Sequence, residues 1–318
     1  MNTKYLKYLR SPKNITSELE FKDDTLIDKF GNIYPIVNNI PRFVLDENYS
    51  KSFGFQWNIF NKTQLDIKGH ISISENRFYN NTRWLKEELK DKKILEVGSG
   101  AGRFTDVILN TDAELYTVDY SNAVEANFIS NKDKKDFFIA QASVYELPFE
   151  KNSFDYVFCF GVIQHTPDVK ESFMCLVDQV KPGGKISIDV YKRNWKSIFL
   201  SKYWFRPLTK RMSHELLLKL INWYIPLWFP LSTMLLKIPI FGKFLCQIIP
   251  ISNYSLLFPQ LSKNQLIEWA ILDTFDMLSP MYDQPQSLKT IISWAKEAKL
   301  NITYCGKGEN GFVLNASK

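Results

Sequence analysis

Glu96, the glycines at 98, 100 and 102, and Asp119 are the residues of this 318-residue chain whose types and spacing could do chemistry. Just before the glycines, Ile94, Leu95 and Val97 form a short apolar run with β-branched members, which reads as a buried parallel strand. Gly98, Gly100 and Gly102 punctuate a tight turn, and Arg103 to Leu109 carries helical spacing. Strand, glycine loop and helix in that order open a doubly wound α/β domain. A dinucleotide fingerprint, G-x-G-x-x-G, lets backbone amides at the helix start reach a pyrophosphate. Here Arg103 stands where its third glycine belongs, and the spacing is E-x-G-x-G-x-G instead. A carboxylate at position 96 repels a phosphate and suits a ligand carrying an ammonium group. Asp119 ends a second apolar run, Leu115 to Val118, at a strand's carboxyl end, where an acid accepts both hydroxyls of a ribose. A glycine loop with these two acids points to a nucleoside bearing an amino-acid tail.

The stretches ILEVGSGAGRF, VDYS and LPFEKNSFDYVFCFGVIQHTPD follow one another in that order. They resemble the glycine-loop, ribose-acid and fourth-strand motifs of class I S-adenosylmethionine-dependent methyltransferases. The resemblance implies an α/β fold with a Rossmann-like, doubly wound, mostly parallel seven-stranded sheet, and S-adenosyl-L-methionine as cofactor. It assigns Glu96, Gly98, Gly100, Gly102, Asp119 and Tyr120 to the cofactor, and lays the backbone of Phe160 and Gly161 along it. Family members commonly carry an acid after the third strand to bind the adenine amine. This chain has Ser143 there, followed by Val144, and a serine accepts a weaker hydrogen bond than a carboxylate does.

Methyl transfer to a hydroxyl calls for a base near the sulfonium methyl. Of the three histidines, His70, His165 and His214, only His165 falls at a strand's carboxyl end. Two readings of it stand open: a catalytic base, or, with Thr166, Pro167 and Asp168, the start of the next helix. Asp276, in the polar stretch LDTFDMLSPMYDQPQ at 272–286, is the second candidate for base or orienter, within what reads as a rigid loop. Arg77 is the candidate partner of the cofactor carboxylate, a fork-shaped donor suited to that group; a surface arginine is the alternative.

The elements that must position these groups follow from periodicity. Strands are expected at 93–97, 114–118, near 137–140, at 154–160 and at 185–191, with KPGGK at 181–185 as the turn before the fifth. Ser74 to Leu89 reads as a helix, as does 287–298, and strands near 302–304 and 312–315 close the domain with a reversed seventh strand. The aromatics of Tyr49 to Asp66 are too dense for a linker and resemble an F-G-x-Q-W segment that covers the cofactor; a lid and a plain core segment are both open readings. Three regions result: a degenerate zinc-ribbon-like β segment at 1–47, a Rossmann-like domain at 48–192 and 287–318, and a hydrophobic helical cap at 193–286. The position corresponding to a zinc-ribbon C-P-x-C reads Ser11, Pro12, Lys13, Asn14, and neither serine nor asparagine replaces a thiolate on zinc, so no metal is expected. The segment should hold instead by packing Tyr34, Ile36, Ile40 and Phe43.

Composition bounds the rest. At 45% hydrophobic, 23% charged and net charge +6 the chain is globular, and its basic residues are scattered, which argues against nucleic acid. Four dispersed cysteines without a C-x-x-C pair read as reduced structural thiols in a cytoplasmic protein without a secretion signal. Residues 220–236 carry no charge but hold Pro226 and Pro230, and fall short of a spanning helix. The insertion is open to two readings: a helical cap walling the acceptor site, or an interfacial helix pair through 195–251 at the inner membrane face, suited to a lipid-linked acceptor. The methyltransferase branch resembled is often tied to bacterial surface-polysaccharide biosynthesis, which makes a small-molecule or glycan acceptor, such as a sugar hydroxyl, the expected partner. The alternatives are a non-catalytic partner of the same fold or a membrane-surface-binding protein.

Overall fold

The computed structural model describes residues 3–44, 48–66, 72–193, 200–239, 241–242, 245–246 and 249–318. His70 and the 195–199 end of the candidate interfacial stretch lie outside them.

The chain opens with an antiparallel meander of β1 (Arg10–Ser11), β2 (Asn14–Lys22), β3 (Thr25–Asp28), β4 (Ile33–Val37) and β5 (Ile40–Pro41). Strand alternation puts Leu19, Leu26 and Tyr34 on one face, and these join Phe43 in the core beneath the main sheet. Tyr5, just ahead of the meander, meets Tyr116 edge-on with centroids 5.4 Å apart. The Ser11 hydroxyl donates to Asp28 Oδ2 at 2.6 Å and lies 2.9 Å from the Tyr34 hydroxyl. Asp28 also accepts from Asn32 Nδ2 at 2.8 Å. A buried hydrogen-bond knot thus ties β1, β3 and β4 together.

Two helices, α1 (Lys51–Ile59) and α2 (Ile73–Thr82), precede the main sheet. The helix expected over 74–89 stops at Thr82, because Arg83 turns left-handed (φ 58°) and a short 3-10 turn follows at Lys86–Leu89. The sheet then alternates β6 (Lys93–Val97), α3 (Arg103–Leu109), β7 (Glu114–Asp119), α4 (Val124–Asn131), β8 (Phe137–Gln141), β9 (Phe154–Cys159), α5 (Val169–Gln179) and β10 (Val180–Val190). Its seven strands lie in the order β11-β12-β10-β9-β6-β7-β8, where β11 is Asn301–Gly308 and β12 is Gly311–Ser317. Strands β6 to β10 are parallel, and β12 runs antiparallel between β10 and β11. The expected mostly parallel, Rossmann-like sheet with a reversed last strand is therefore the fold. Chain order reverses between β6 and β9, and a ligand crevice opens outside the carboxyl ends of strands at such a switch point.

The insertion holds α6 (Ser201–Thr209), α7 (His214–Leu236) and α8 (Lys263–Leu278), and α9 (Leu288–Glu297) returns to the sheet. Leu217, Ile221, Ile225 and Phe229 recur on one face of α7 and pack on Leu266, Ala270 and Phe275 of α8 in a core separate from those of the sheet. Stretch 272–278 is thus the end of a helix, not the loop expected: Leu272, Phe275 and Leu278 face that core at helical spacing, and the chain leaves the helix only at Ser279.

Candidate functional site

The loop after β6 is specified by backbone conformation. Gly98 has φ +83° and a Cβ there would meet Val162 Cγ2 at 2.2 Å. Gly102 has φ +93° and a Cβ would meet Asn127 Oδ1 at 2.5 Å. Gly100, at φ +52°, lies under the indole of Trp57, whose Nε1 is 3.1 Å from where a Cβ would stand. A left-handed backbone with no room beside it admits only glycine. Asp119, at the end of β7, closes this loop from the side: Oδ2 accepts the Gly100 amide at 2.8 Å, and Oδ1 accepts the Ser121 amide and hydroxyl at 2.8 and 2.7 Å. Burial raises its carboxyl above the usual range, against those hydrogen bonds.

These residues open onto a cavity of about 1020 Å³, at the upper end of the range for small-molecule sites. Gly98, Gly100, Asp119, Tyr120, Val144, Phe160, Gly161, Arg77, His165 and Asp276 all line it, so ten of the sequence candidates converge. Glu96, Gly102 and Ser143 lie outside its lining. The Ser143 hydroxyl accepts the Tyr145 amide at 3.2 Å, and its turn presents Ala142 and Val144 to the cavity instead. Gly102 is packed on Asn127 and Asn131. Glu96 is 1% exposed beneath the loop, where Oε2 accepts from the hydroxyls of Thr105 and Thr117, while Oε1 has no partner among the described residues. Burial outweighs the two hydroxyls and pushes its carboxyl up to about 7.

Arg77 is no surface arginine. Its Nη2 donates to the fully buried Asp189 at 3.0 Å, and Asp189 also accepts the Gly161 amide. Its Nε is buried without a partner among the described residues. Arg103, the residue that spoils the dinucleotide fingerprint, comes alongside, held by Ser74 Oγ and Gln64 Oε1, each at 2.9 Å. Burial and the neighbouring Arg77 push its guanidinium down to about 10. Two guanidiniums crowded on one wall make a site for an anion, and a carboxylate fits such a fork.

The opposite wall carries the candidate base. The His165 ring lies between Phe53 and Tyr191, with centroids 5.1 and 5.3 Å away. Nδ1 is 2.9 Å from the Tyr282 carbonyl, and Nε2 is buried without a partner among the described residues. A carbonyl only accepts, so Nδ1 is the nitrogen that carries the proton in this contact, which leaves Nε2 as the one able to accept. The helix-start reading belongs to another residue: Asp168 caps α5 by accepting the Glu171 amide at 2.9 Å. Asp276 accepts from Gln56 Nε2 at 3.0 Å on the cavity face of α8. One turn away, Asp273 accepts from Gln64 Nε2 and Trp269 Nε1, and burial pushes it up to about 6. Lys202 and Asp283 pair at 2.7 Å in the same wall.

Trp57, Arg103, Tyr191 and Lys202 also line the cavity and were given no site role of their own from the sequence, whereas Asp273 and Asp283 belong to the polar stretch at 272–286 expected to hold a hydroxylated acceptor. Trp57 and Arg103 had a signal: one lies in the aromatic segment at 49–66, the other at the missing third glycine.

The glycine cradle, the acid on the Gly100 amide and the paired arginines suit a nucleoside with an amino-acid tail, as does a cavity of this size. Residues 95–188 match the family described as a methyltransferase domain. Phosphoethanolamine N-methyltransferase 2 of Caenorhabditis elegans is 33% identical over 104 residues, 31% of this chain and 23% of that one. A ubiquinone biosynthesis O-methyltransferase of Thiobacillus denitrificans is 26% identical over 125 residues, 37% of this chain and 53% of that one. The chain thus spans between about a quarter and about half of the length of these relatives. Among solved structures, an S-adenosylmethionine-dependent methyltransferase from Methanosarcina mazei aligns with a TM-score of 0.42 at 16% identity, over 80% of this chain and 99% of that one. The stretch from β6 into β10 thus matches a methyltransferase domain, and S-adenosylmethionine is the cofactor that match implies.

Proposed function

We propose that the chain is an S-adenosylmethionine-dependent methyltransferase that O-methylates a hydroxyl of a small-molecule or glycan acceptor, with His165 as the base. The observation that carries this reading is a single cavity holding both the glycine cradle with Asp119 and a buried histidine whose outer nitrogen is unpaired. Asp119 takes the ribose hydroxyls, Ala142 and Val144 face the base of the nucleoside, and Arg77 with Arg103 takes the carboxylate. Trp57 covers the glycine loop and keeps water out. S-Adenosylmethionine supplies an electrophilic methyl group on sulfur and leaves as S-adenosylhomocysteine. The residues of the opposite wall then hold the acceptor oxygen in line, and His165 Nε2 accepts the hydroxyl proton as the oxygen–carbon bond forms. The Tyr282 carbonyl fixes the ring and favours the imidazolium that results. Asp276, held by Gln56, orients the acceptor rather than taking its proton.

A sugar hydroxyl fits a wall of mixed Asp, Lys and aromatic side chains, which gives hydrogen bonds and stacking faces together. Calorimetric titration with S-adenosylhomocysteine, beside Asp119→Ala, tests the cofactor half. Micromolar binding lost in the variant supports it, and nucleotide sugars and lipid-linked glycans are then screened for methyl uptake. No binding by the parent chain would turn the reading toward a non-catalytic partner of the same fold.

A further inference from the structure

Helix α7 is apolar on two faces. One face packs on α8, as described above. The other shows Leu216, Leu220, Trp223, Leu227, Leu231 and Met234, each 40–69% exposed and spaced three or four residues apart along the outer side. Pro226 and Pro230 are exposed on the same helix, and Phe205 and Leu208 of α6 are 45% and 68% exposed. Soluble monomers seldom leave so long a contiguous apolar surface open.

The charges around it have one sign. Lys210, Arg211, Lys219 and Lys237 are all exposed, and Glu215 is the single acid between residues 200 and 239. Trp223, one turn after Lys219, and Trp228 are exposed, and tryptophan sits at headgroup depth with its apolar body buried and its polar N–H in water. Among the described residues no helix is long and apolar enough to cross a membrane. We infer that the outer face of α6 and α7 lies flat on an anionic phospholipid bilayer, with α7 in the plane of the headgroups and the basic residues on the phosphates.

Helix α6 links this face to the cavity. Lys202 and Arg206 line the cavity, while Phe205 and Leu208 of the same helix are exposed. Docking through α6 and α7 sets the cavity beside the bilayer, where an acceptor carried on a lipid would reach it. The docking itself stands apart from the methyl-transfer reading, because it needs neither cofactor nor acceptor.

The test is vesicle flotation of the full chain, without cofactor, on phosphatidylglycerol–phosphatidylcholine vesicles and on pure phosphatidylcholine, with sedimentation velocity alongside. The parent chain should float with the anionic vesicles and less with the neutral ones. Trp223→Ser with Leu227→Ser, both at exposed positions and checked for an unchanged melting temperature, should lower binding at least about tenfold. Lys210→Gln, Lys219→Gln and Lys237→Gln together should remove the preference for anionic lipid. The inference is overturned if the parent chain stays unbound with both vesicles, or if the Trp223/Leu227 variant floats as well as the parent. It is equally overturned if the face instead holds a second copy, seen as a dimer that the Trp223/Leu227 variant dissociates while the parent ignores vesicles.

Discussion

The two walls of the cavity are built on different physical grounds. The wall from β6 and β7 is a matter of backbone: two left-handed glycines on the cavity with a third packed behind them, a carboxylate on one of their amides, and a bend that no side chain could share. The facing wall from α1, α8 and the loops after β9 and α8 is a matter of side-chain pairs. Gln56 is set on Asp276, Gln64 on Asp273, and His165 on the Tyr282 carbonyl, each across a long sequence separation. A site made of backbone geometry is written in a few adjacent residues and tolerates little change. A site made of tertiary pairs is written nowhere locally and can be altered one partner at a time. A change in the first wall should therefore destroy cofactor binding, and a change in the second should spare it.

The largest effect is expected from Gly98→Ala. A methyl group 2.2 Å from Val162 in a backbone at φ +83° cannot be relieved without moving β6 or the turn after β9. Affinity for S-adenosylhomocysteine should fall more than ~100-fold by calorimetry, well beyond the strain of a single left-handed residue. Gly183→Ala separates strain from space, since Gly183 shares the conformation, φ +78°, with nothing within 4 Å. It should cost about 1 kcal/mol of stability and leave binding intact. Equal affinity in Gly98→Ala and the parent would mean that the glycine wall does not hold the cofactor.

In the facing wall, His165→Gln should lower kcat by roughly 10²- to 10⁴-fold on whichever acceptor turns over, with affinity for S-adenosylhomocysteine unchanged. An activity within a few fold of the parent would take the base role from His165. Trp57→Ala sharpens the comparison, because Trp57 comes from the second wall but covers the first. It should weaken S-adenosylhomocysteine about three- to tenfold, the worth of one aromatic contact, without unfolding the protein.

The same contrast explains what the sequence disclosed. The glycine loop, Asp119, the parallel strands and the reversed last strand were legible because each is set by local conformation or by an apolar run. Arg77 and His165 were legible as residue types, but their partners Asp189 and the Tyr282 carbonyl, which hold them at the cavity, lie far off in sequence and were not. Which way Glu96 and Ser143 turn was not legible, because sequence gives a residue's position in a motif and not the side of the strand its hydrogen bonds choose. Thr105 and Thr117 draw the Glu96 carboxyl inward, and the Tyr145 amide takes up Ser143. Helix α8 was read as a loop because its acids and the prolines after it resemble a polar turn. Its apolar face emerges only against Leu217 and Ile221 of α7, more than forty positions upstream.

The smallest expected effect concerns the residue that lies under the first wall without touching the cavity. Glu96 is raised from an ordinary 4.5 to about 7 by burial. A carboxyl with a raised folded-state pKa binds more protons folded than unfolded between those two values, so stability falls as pH climbs through that window. The parent chain should therefore lose melting temperature from about pH 5 to pH 7, on the order of 2 kcal/mol from this group. Glu96→Gln keeps an oxygen for Thr105 and Thr117 and carries no charge, so its melting curve should lose this group's share of the slope. Asp273, raised to about 6, adds a slope of the same sign that Glu96→Gln does not remove. Identical pH profiles in the parent and Glu96→Gln would show that Glu96 is ionised in the fold throughout. The glycine loop would then rest on a buried charge rather than on a neutral hydrogen-bonded carboxyl. A change confined to stability, with cofactor affinity retained, would confirm that this acid serves the wall from beneath and not the ligand.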